Sequence, residues 1–230
     1  MKNLRLVLLR PRVPENLGAI ARAMRNLGFR EWTLVEPRTL DFEKARRVAV
    51  HAEELLDRPR LCATLDEAVA DCVWVVGTSS RRPKGQRILS PPEVAREALQ
   101  RLEAGLVALV FGDERSGLSN AETERCHDLS AIPCDPAQPS LNLAQAVLVY
   151  LWELRRAGEG AERAAPSAPA ATDRELEVLH DALREALRAC GFLRGPERHA
   201  VRDLFATLRR GRIGKREARL WIAALKGLAR

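Results

Sequence analysis

The sequence predicts an α/β fold, a mainly parallel sheet with helices on both faces, followed by a small helical domain. Three observations predict it. Short apolar runs alternate with stretches of helical period from Leu4 to Arg156. Two of those runs, Cys72 to Gly77 (CVWVVG) and Leu106 to Gly112 (LVALVFG), are continuously apolar, as strands buried on both faces are. A small-residue, proline-rich segment, Gly158 to Ala171, then precedes a stretch with helical period alone. The expected organisation is residues 1–157 as the α/β domain, 158–171 as linker and 172–230 as helical extension.

The elements follow in order. Leu4 to Arg10 reads as a strand, its apolar run too short for a secretion signal and lacking a small-residue cleavage site. Leu17 to Leu27 is a helix with Ile20, Ala23, Met24 and Leu27 on one face and Gly28 as its stop. Trp32 to Glu36 is a strand ended by Pro37, and Phe42 to Leu56 has the pattern of one helix. After the strand at 72–77 come a helix at Glu93 to Glu103, the strand at 106–112, a short strand at Leu129 to Pro133 and an apolar helix at Asn142 to Arg156. In the extension, Thr172 and Glu175 form a capping box ahead of Leu176, Leu179, Leu183 and Leu187. Gly191 stops that helix. A second starts at Pro196, and a third presents Leu220, Trp221, Leu225 and Leu228.

Charge is unevenly placed. The 230 residues carry a formal +7, and Arg194 to Arg230 alone holds 11 basic and 3 acidic residues. Such a cluster on a small domain suits a polyanion, although an arginine-rich codon bias explains it as readily. No run of 18 apolar residues occurs, so no transmembrane helix and no membrane partner are expected, and the protein is expected in the cytoplasm. Cys62, Cys72, Cys126, Cys134 and Cys190 show no C-x-x-C spacing and read as reduced, mostly buried thiols. Cys126, His127 and Cys134 lack a fourth ligand at zinc spacing, so no metal is expected.

Ligands of parallel sheets sit at the carboxyl ends of strands. The turn after the first strand, RPRVPENLG, has neither a dinucleotide-binding glycine motif nor a P-loop. Three other stretches are rich in polar residues and glycine: NLGAIAR with Asn16 and Arg22, FGDERSGLSNAE from Phe111 to Glu122, and IPCDP with PSLNLAQAV, where Ser140 and Asn142 open the apolar helix. Taken singly, Asn16 reads as a helix cap, Arg22 as a solvated charge and Ser140 as an N-cap. Composition and spacing support a pocket built from these loops and nothing finer.

Together, N-L-G-A-I-A-R, F-G-D-E-R-S-G-L and S-L-N-L-A-Q-A-V resemble the three ordered motifs of the SPOUT class in its SpoU/TrmH branch of RNA ribose 2′-O-methyltransferases. The resemblance spans Leu4 to Arg156. Within the branch the chain is similar to TrmJ-type tRNA methyltransferases, through G-T-S-x-R at Gly77 to Arg81 and a weaker G-F match at Gly191 and Phe192 in the helical extension. The resemblance implies a deep trefoil knot in the C-terminal part of the sheet, a homodimer, and S-adenosylmethionine as cofactor with S-adenosylhomocysteine as product. It places the cofactor against Thr78, Ser79, Ser80, Gly112, Ile132, Ser140, Leu141 and Asn142. It makes Asn16, Arg22, Glu114, Ser140 and Asn142 the active-site residues, with Asn16 and Ser140 orienting the ribose and Glu114 fixing the loop or Asn142.

The resemblance makes Arg22 the proposed base; because a guanidinium is protonated at any working pH, Arg22 reads here as an electrostatic clamp near the 2′-oxygen, contributed across the dimer, with the base role left open. The expected reaction is methylation of tRNA in the anticodon loop, at cytidine or uridine 32. Ribosomal RNA is the alternative substrate, and a non-catalytic RNA-binding protein on the same fold is the alternative class. Arg198, Arg202, Arg209, Arg210, Arg212, Lys215, Arg216 and Arg219 are the expected RNA phosphate contacts.

Overall fold

The computed structural model describes residues 2–57, 59–81, 83, 85–159, 169–193, 200–210 and 213–228, without the side chain of Arg210. The chain forms β1 (Leu4–Leu9), α1 (Pro14–Leu27), β2 (Trp32–Val35), α2 (Phe42–Ala49), α3 (Glu54–Asp57), β3 (Arg60–Cys62), α4 (Leu65–Val69) and β4 (Cys72–Thr78). Next come β5 (Ile88–Leu89), α5 (Pro91–Leu102), β6 (Leu106–Phe111), α6 (Asn120–Arg125), β7 (Asp128–Ser130) and α7 (Leu143–Glu159). The extension holds α8 (Asp173–Ala189), α9 (Ala200–Arg210) and α10 (Lys215–Leu228).

Among the described residues the strands form one sheet in the order β3-β2-β1-β6-β4-β7-β5, each neighbouring pair parallel. Alternation along β1 shows why its run is apolar apart from Arg5, which pairs with Asp71. Leu4, Leu6 and Leu8 enter the core shared with α1, α5 and α7, whereas Val7 and Leu9 enter the core on the opposite face. β7 lies between β4 and β5, which the earlier segment 79–87 connects.

Several boundaries differ from the sequence reading. Phe42 to Leu56 is not one helix: Val50 (φ 19°) and His51 (φ 63°) break it, and the Trp32 indole N–H holds the Leu55 carbonyl at 2.8 Å. Helix α7 opens on Asn142 rather than Ser140, because the Asn142 side-chain oxygen accepts from Ala144 N at 2.8 Å. It continues to Glu159, so residues 158 and 159 of the expected linker are helical. The short elements β3, α4, β5 and α6 carry too few residues to show a period and went unread. A helix start at Pro196 falls outside the described residues.

The Thr172–Glu175 capping box forms as expected, with Glu175 N on the Thr172 hydroxyl at 3.3 Å and Thr172 N on the Glu175 carboxylate at 3.0 Å. The extension has its own core of Leu176, Leu179, Ala182, Phe205, Ala218 and Leu225. On α10 the expected apolar face is only partly used, since Leu220 (61%), Trp221 (48%) and Leu228 (72%) are exposed. The face turned inward is Ala218, Ile222 and Leu225 instead.

An ion-pair cluster joins the extension to the end of α6. Asp173, fully buried, takes both terminal nitrogens of Arg125, and Glu177 lies 3.3 Å from Arg125 and 2.7 Å from Arg209. Burial opposes the charge on Arg125, but Asp173 and Glu177 hold its pKa well above the ordinary value. Arg209 donates to the carbonyls of Arg125 at 2.9 Å and Glu124 at 3.3 Å. Arg209, expected on RNA, is therefore a buried strut: its side chain is 8% exposed and its partners are internal. Asp173→Ala leaves two guanidiniums facing each other, and a destabilisation of about 3–5 kcal/mol is expected. A shift in the urea midpoint measures it; an unshifted midpoint removes the cluster from the stability account.

Candidate functional site

A cleft of ≈ 320 Å³ opens at the carboxyl ends of β4, β6 and β7. It is lined by Thr78 at the end of β4 and Ser79 and Ser80 after it, by Gly112 and Glu114 after β6, by Ile132 after β7, and by Ser140 and Leu141 ahead of α7. Every residue expected to hold the cofactor lines it except Asn142, which sits at the rim as the cap of α7.

The loop after β6 is held by its own acid. Asp113 accepts from the amides of Arg115 at 2.8 Å and Ser116 at 3.3 Å, and from Arg12 Nε at 2.5 Å. Burial acts to raise the Asp113 pKa, and these donors outweigh it and hold the carboxyl below its ordinary value. Gly117, at φ 65°, closes the turn through its N–H on the Asp113 carbonyl at 2.7 Å. The loop then lies so close to itself that a Cβ at residue 112 would meet the Gly117 carbonyl carbon at 2.1 Å.

Glu114 ties the three motifs together. Its carboxylate accepts from Arg12 N at 3.0 Å, Val13 N at 3.2 Å and Asn16 Nδ2 at 3.1 Å. Val13 is the N-cap of α1 and has no capping side chain, so Glu114 supplies the negative charge that this helix end favours. Asn16, 7% exposed, accepts in turn from Asn142 Nδ2 at 2.9 Å. The chain Glu114–Asn16–Asn142 thus joins the starts of α1 and α7 to the loop after β6. Glu114 reaches Asn142 only through Asn16.

Arg22 is not part of this group. It lies on the exposed stripe of α1 with Glu15 and Asn26, and makes no hydrogen bond or ion pair among the described residues. Within one chain the structure does not bring it to the cleft.

Sequence reasoning missed the cleft's deeper wall. Tyr150 donates to Ser130 Oγ at 2.8 Å, Ser130 donates to the Leu89 carbonyl at 2.8 Å, and the Tyr150 ring meets Phe111 edge-on at 5.6 Å. Burial pushes the Tyr150 phenol up to about 12, so it serves as a neutral hydrogen-bond donor. The available signal was that the chain's one tyrosine sits in an otherwise apolar helix. Arg81 and Arg115 also line the cleft and add positive charge at its mouth.

Cys126 and His127 are engaged elsewhere. The Cys126 thiol lies on the Glu122 carbonyl at 3.2 Å and burial pushes it up to about 12, while His127 Nδ1 accepts from Val75 N at 3.1 Å. Cys62, Cys72 and Cys126 are buried, Cys134 half-buried and Cys190 exposed, all as free thiols. No helix among the described residues is long and apolar enough to cross a membrane.

Of the expected RNA contacts, Arg202, Lys215, Arg216 and Arg219 are exposed. Arg202 pairs with Asp203 at 3.1 Å, and Lys215 and Arg219 lie 3.5 and 3.8 Å from Glu175. Arg198, Arg212 and the side chain of Arg210 lie outside the described residues.

Residues 3–152 match the model of the SpoU rRNA Methylase family. The chain is 37% identical over 220 residues to the tRNA (cytidine/uridine-2′-O-)-methyltransferase TrmJ of Klebsiella pneumoniae, covering 91% of this chain and 90% of that enzyme. Its fold matches the crystal structure of TrmJ from Z. mobilis with a TM-score of 0.80 at 30% identity, over 98% of this chain and 99% of that one. A likeness at 22% identity and TM-score 0.53, over 69% of this chain and 58% of that one, extends the fold to the SpoU methyltransferase AviRb of Streptomyces viridochromogenes in complex with AdoMet.

Proposed function

The chain belongs to the SpoU rRNA Methylase family and is a methyltransferase, and from that premise we propose that it methylates a ribose 2′-oxygen of tRNA at cytidine or uridine 32, in the cytoplasm. The observation that carries the reading is the Glu114–Asn16–Asn142 chain, which gathers all three motifs at the rim of one cleft. The tRNA substrate is supported by the Klebsiella relative, whose similarity runs through the helical extension as well as the α/β part.

The cleft suits S-adenosylmethionine. Phe111, Ile132 and Leu141 offer apolar surface for a purine ring, Ser79 and Ser80 offer hydroxyls, and the loops approach closely enough for backbone contacts. When bound, that cofactor supplies a methyl group already activated on a sulfonium. The protein then has to align the 2′-oxygen with it and ease loss of the proton. Asn16 and Ser140 orient the ribose, and Glu114 keeps Asn16 turned to its task.

Arg22 acts across a homodimer. The exposed Leu148 and Trp152 of α7, beside α1, supply the apolar part of that interface, and pairing there carries each Arg22 toward its partner's cleft. The guanidinium neutralises charge developing at the 2′-oxygen or the adjoining phosphate. The extension, α8 to α10, grips the tRNA body through Arg202, Lys215, Arg216 and Arg219, with no metal required.

The test is methyl transfer from labelled S-adenosylmethionine to unmodified tRNA and to ribosomal RNA transcripts. The expected product is tRNA resistant to alkaline cleavage after nucleotide 32, and a 2′-deoxy nucleotide at that position abolishes the label. Labelling of ribosomal RNA alone overturns the substrate, and binding of tRNA without transfer overturns the enzyme reading.

A further inference from the structure

A second, larger cavity of ≈ 860 Å³ lies at the other end of the sheet. Val73, Ala104 and His127, which line it, stand at or before the amino ends of β4, β6 and β7. The seven residues of β4 put it about 20 Å from the cleft at the carboxyl ends. The extension closes it from the other side with Leu176, Ile213, Leu220 and the start of α10.

Its chemistry is divided. The wall is largely apolar, formed by Val73, Ala104, Leu176 and Ile213, with the buried donors of His127, Arg101 and Arg209 set into it. His127 is 8% exposed, and since its Nδ1 accepts from Val75 N, the neutral ring carries its proton on Nε2. That Nε2–H has no partner among the described residues. Burial, then Arg209, Arg101 and Arg125, hold the His127 pKa well below its ordinary value, so the ring stays a neutral donor.

The mouth is cationic. Lys215 and Arg216 form the first turn of α10, where the helix dipole adds positive potential, and Arg219 follows one turn later. Arg216 has no ion-pair partner among the described residues, whereas Lys215 and Arg219 share Glu175. The acid in the lining, Glu217, is engaged by Gly214 N at 2.8 Å as the cap of α10. The remaining lining cations are Arg209, whose Nη2 faces Asp173 and Glu177 while its buried Nε has no partner among the described residues, and Arg101, stacked on Trp74 at 4.3 Å.

We propose that this cavity is a second nucleotide site, taking the base of one nucleoside monophosphate unit against the apolar wall and His127 Nε2–H, and its phosphate on Lys215 and Arg216. A planar ring with acceptor atoms satisfies His127 Nε2–H, and a phosphate satisfies the mouth. The unit belongs to an unpaired nucleotide of the RNA substrate, which rests on the tRNA reading above; a free nucleotide has the same chemistry.

Calorimetry with AMP on the full chain tests the site. AMP is expected to bind, to shift the His127 ring resonances and to leave S-adenosylhomocysteine affinity unchanged. It should inhibit methyl transfer competitively with tRNA. Ala104→Trp fills the cavity without altering charge, and is expected to weaken AMP at least tenfold and raise KM for tRNA about tenfold at constant kcat. Absence of AMP binding, or its displacement by S-adenosylhomocysteine, overturns the site. An unchanged KM in a variant that has lost AMP overturns the RNA source and leaves a free-nucleotide site. Wild-type protein that binds AMP but methylates no RNA upholds the pocket and refutes the activity instead.

Discussion

Arg22→Ala is expected to lower methyl transfer about a thousandfold while S-adenosylmethionine affinity and thermal stability stay at their wild-type values. The separation of effects follows from where the residue sits. Arg22 is exposed on α1, has no partner among the described residues, and does not line the cleft, so its removal costs neither packing nor a cofactor contact. In the proposed dimer, what it removes is a positive charge that the second subunit would deliver to the reacting ribose. Arg22→Lys restores little, because an ammonium cannot reproduce a planar fork on a phosphate or an oxygen pair. Mixed dimers make the test specific. A subunit with Arg22→Ala but an intact cleft, paired with a subunit carrying Arg22 and a disabled cleft, has one complete site. An equal mixture of two inactive variants should therefore regain about a quarter of wild-type activity through its heterodimers. No recovery on mixing places Arg22 outside a shared site, and full activity of Arg22→Ala returns it to a solvated helix face.

Gly112→Ala is the second large effect, and it falls on the cofactor instead. The added methyl would stand 2.1 Å from the Gly117 carbonyl carbon and 2.3 Å from Leu118 N, both backbone atoms that no rotamer change can move aside. The loop from 112 to 118 must open, and with it go the Asp113 contacts that shape the cleft. S-adenosylhomocysteine affinity should fall at least a hundredfold, about 2.8 kcal/mol, while the circular dichroism of the sheet and helices is retained. Gly28→Ala is the matched control. Gly28 is left-handed at φ 80° with nothing within 4 Å of the new carbon, so the change costs about 1 kcal/mol of stability and no cofactor affinity. Equal cofactor binding by the two variants would dissociate the loop from the site.

How much of this was legible in advance depends on range along the chain. Apolar runs identified β1, β2, β4 and β6 because a strand buried on both faces is apolar at nearly every position, whereas β7, expected at 129–133, lies at Asp128–Ser130 with two buried polar residues of its three. Capping boxes are local too, yet only the one at Thr172 was read; those at Ser90 and Ser119 have the same form. β5, with two residues, and α6, a polar helix of fewer than two turns, show no apolar run or face by which to recognise them. The cleft residues were legible as motifs rather than as chemistry.

The sequence by itself determined the fold class, the positions of the major elements and the membership of the three loops in one family, because periodicity and motif spacing are properties of neighbouring residues. Only the tertiary structure decided what individual side chains do. Glu114 caps a helix whose N-cap lies 101 residues earlier in the chain, Arg209 turns from an RNA contact into a buried strut, and Arg22 stands away from the cleft of its own chain. A charged side chain has no fixed role until folding settles whether water, a carboxylate or a backbone amide surrounds it. That surrounding is assembled from residues far apart in the chain, where local pattern carries no information.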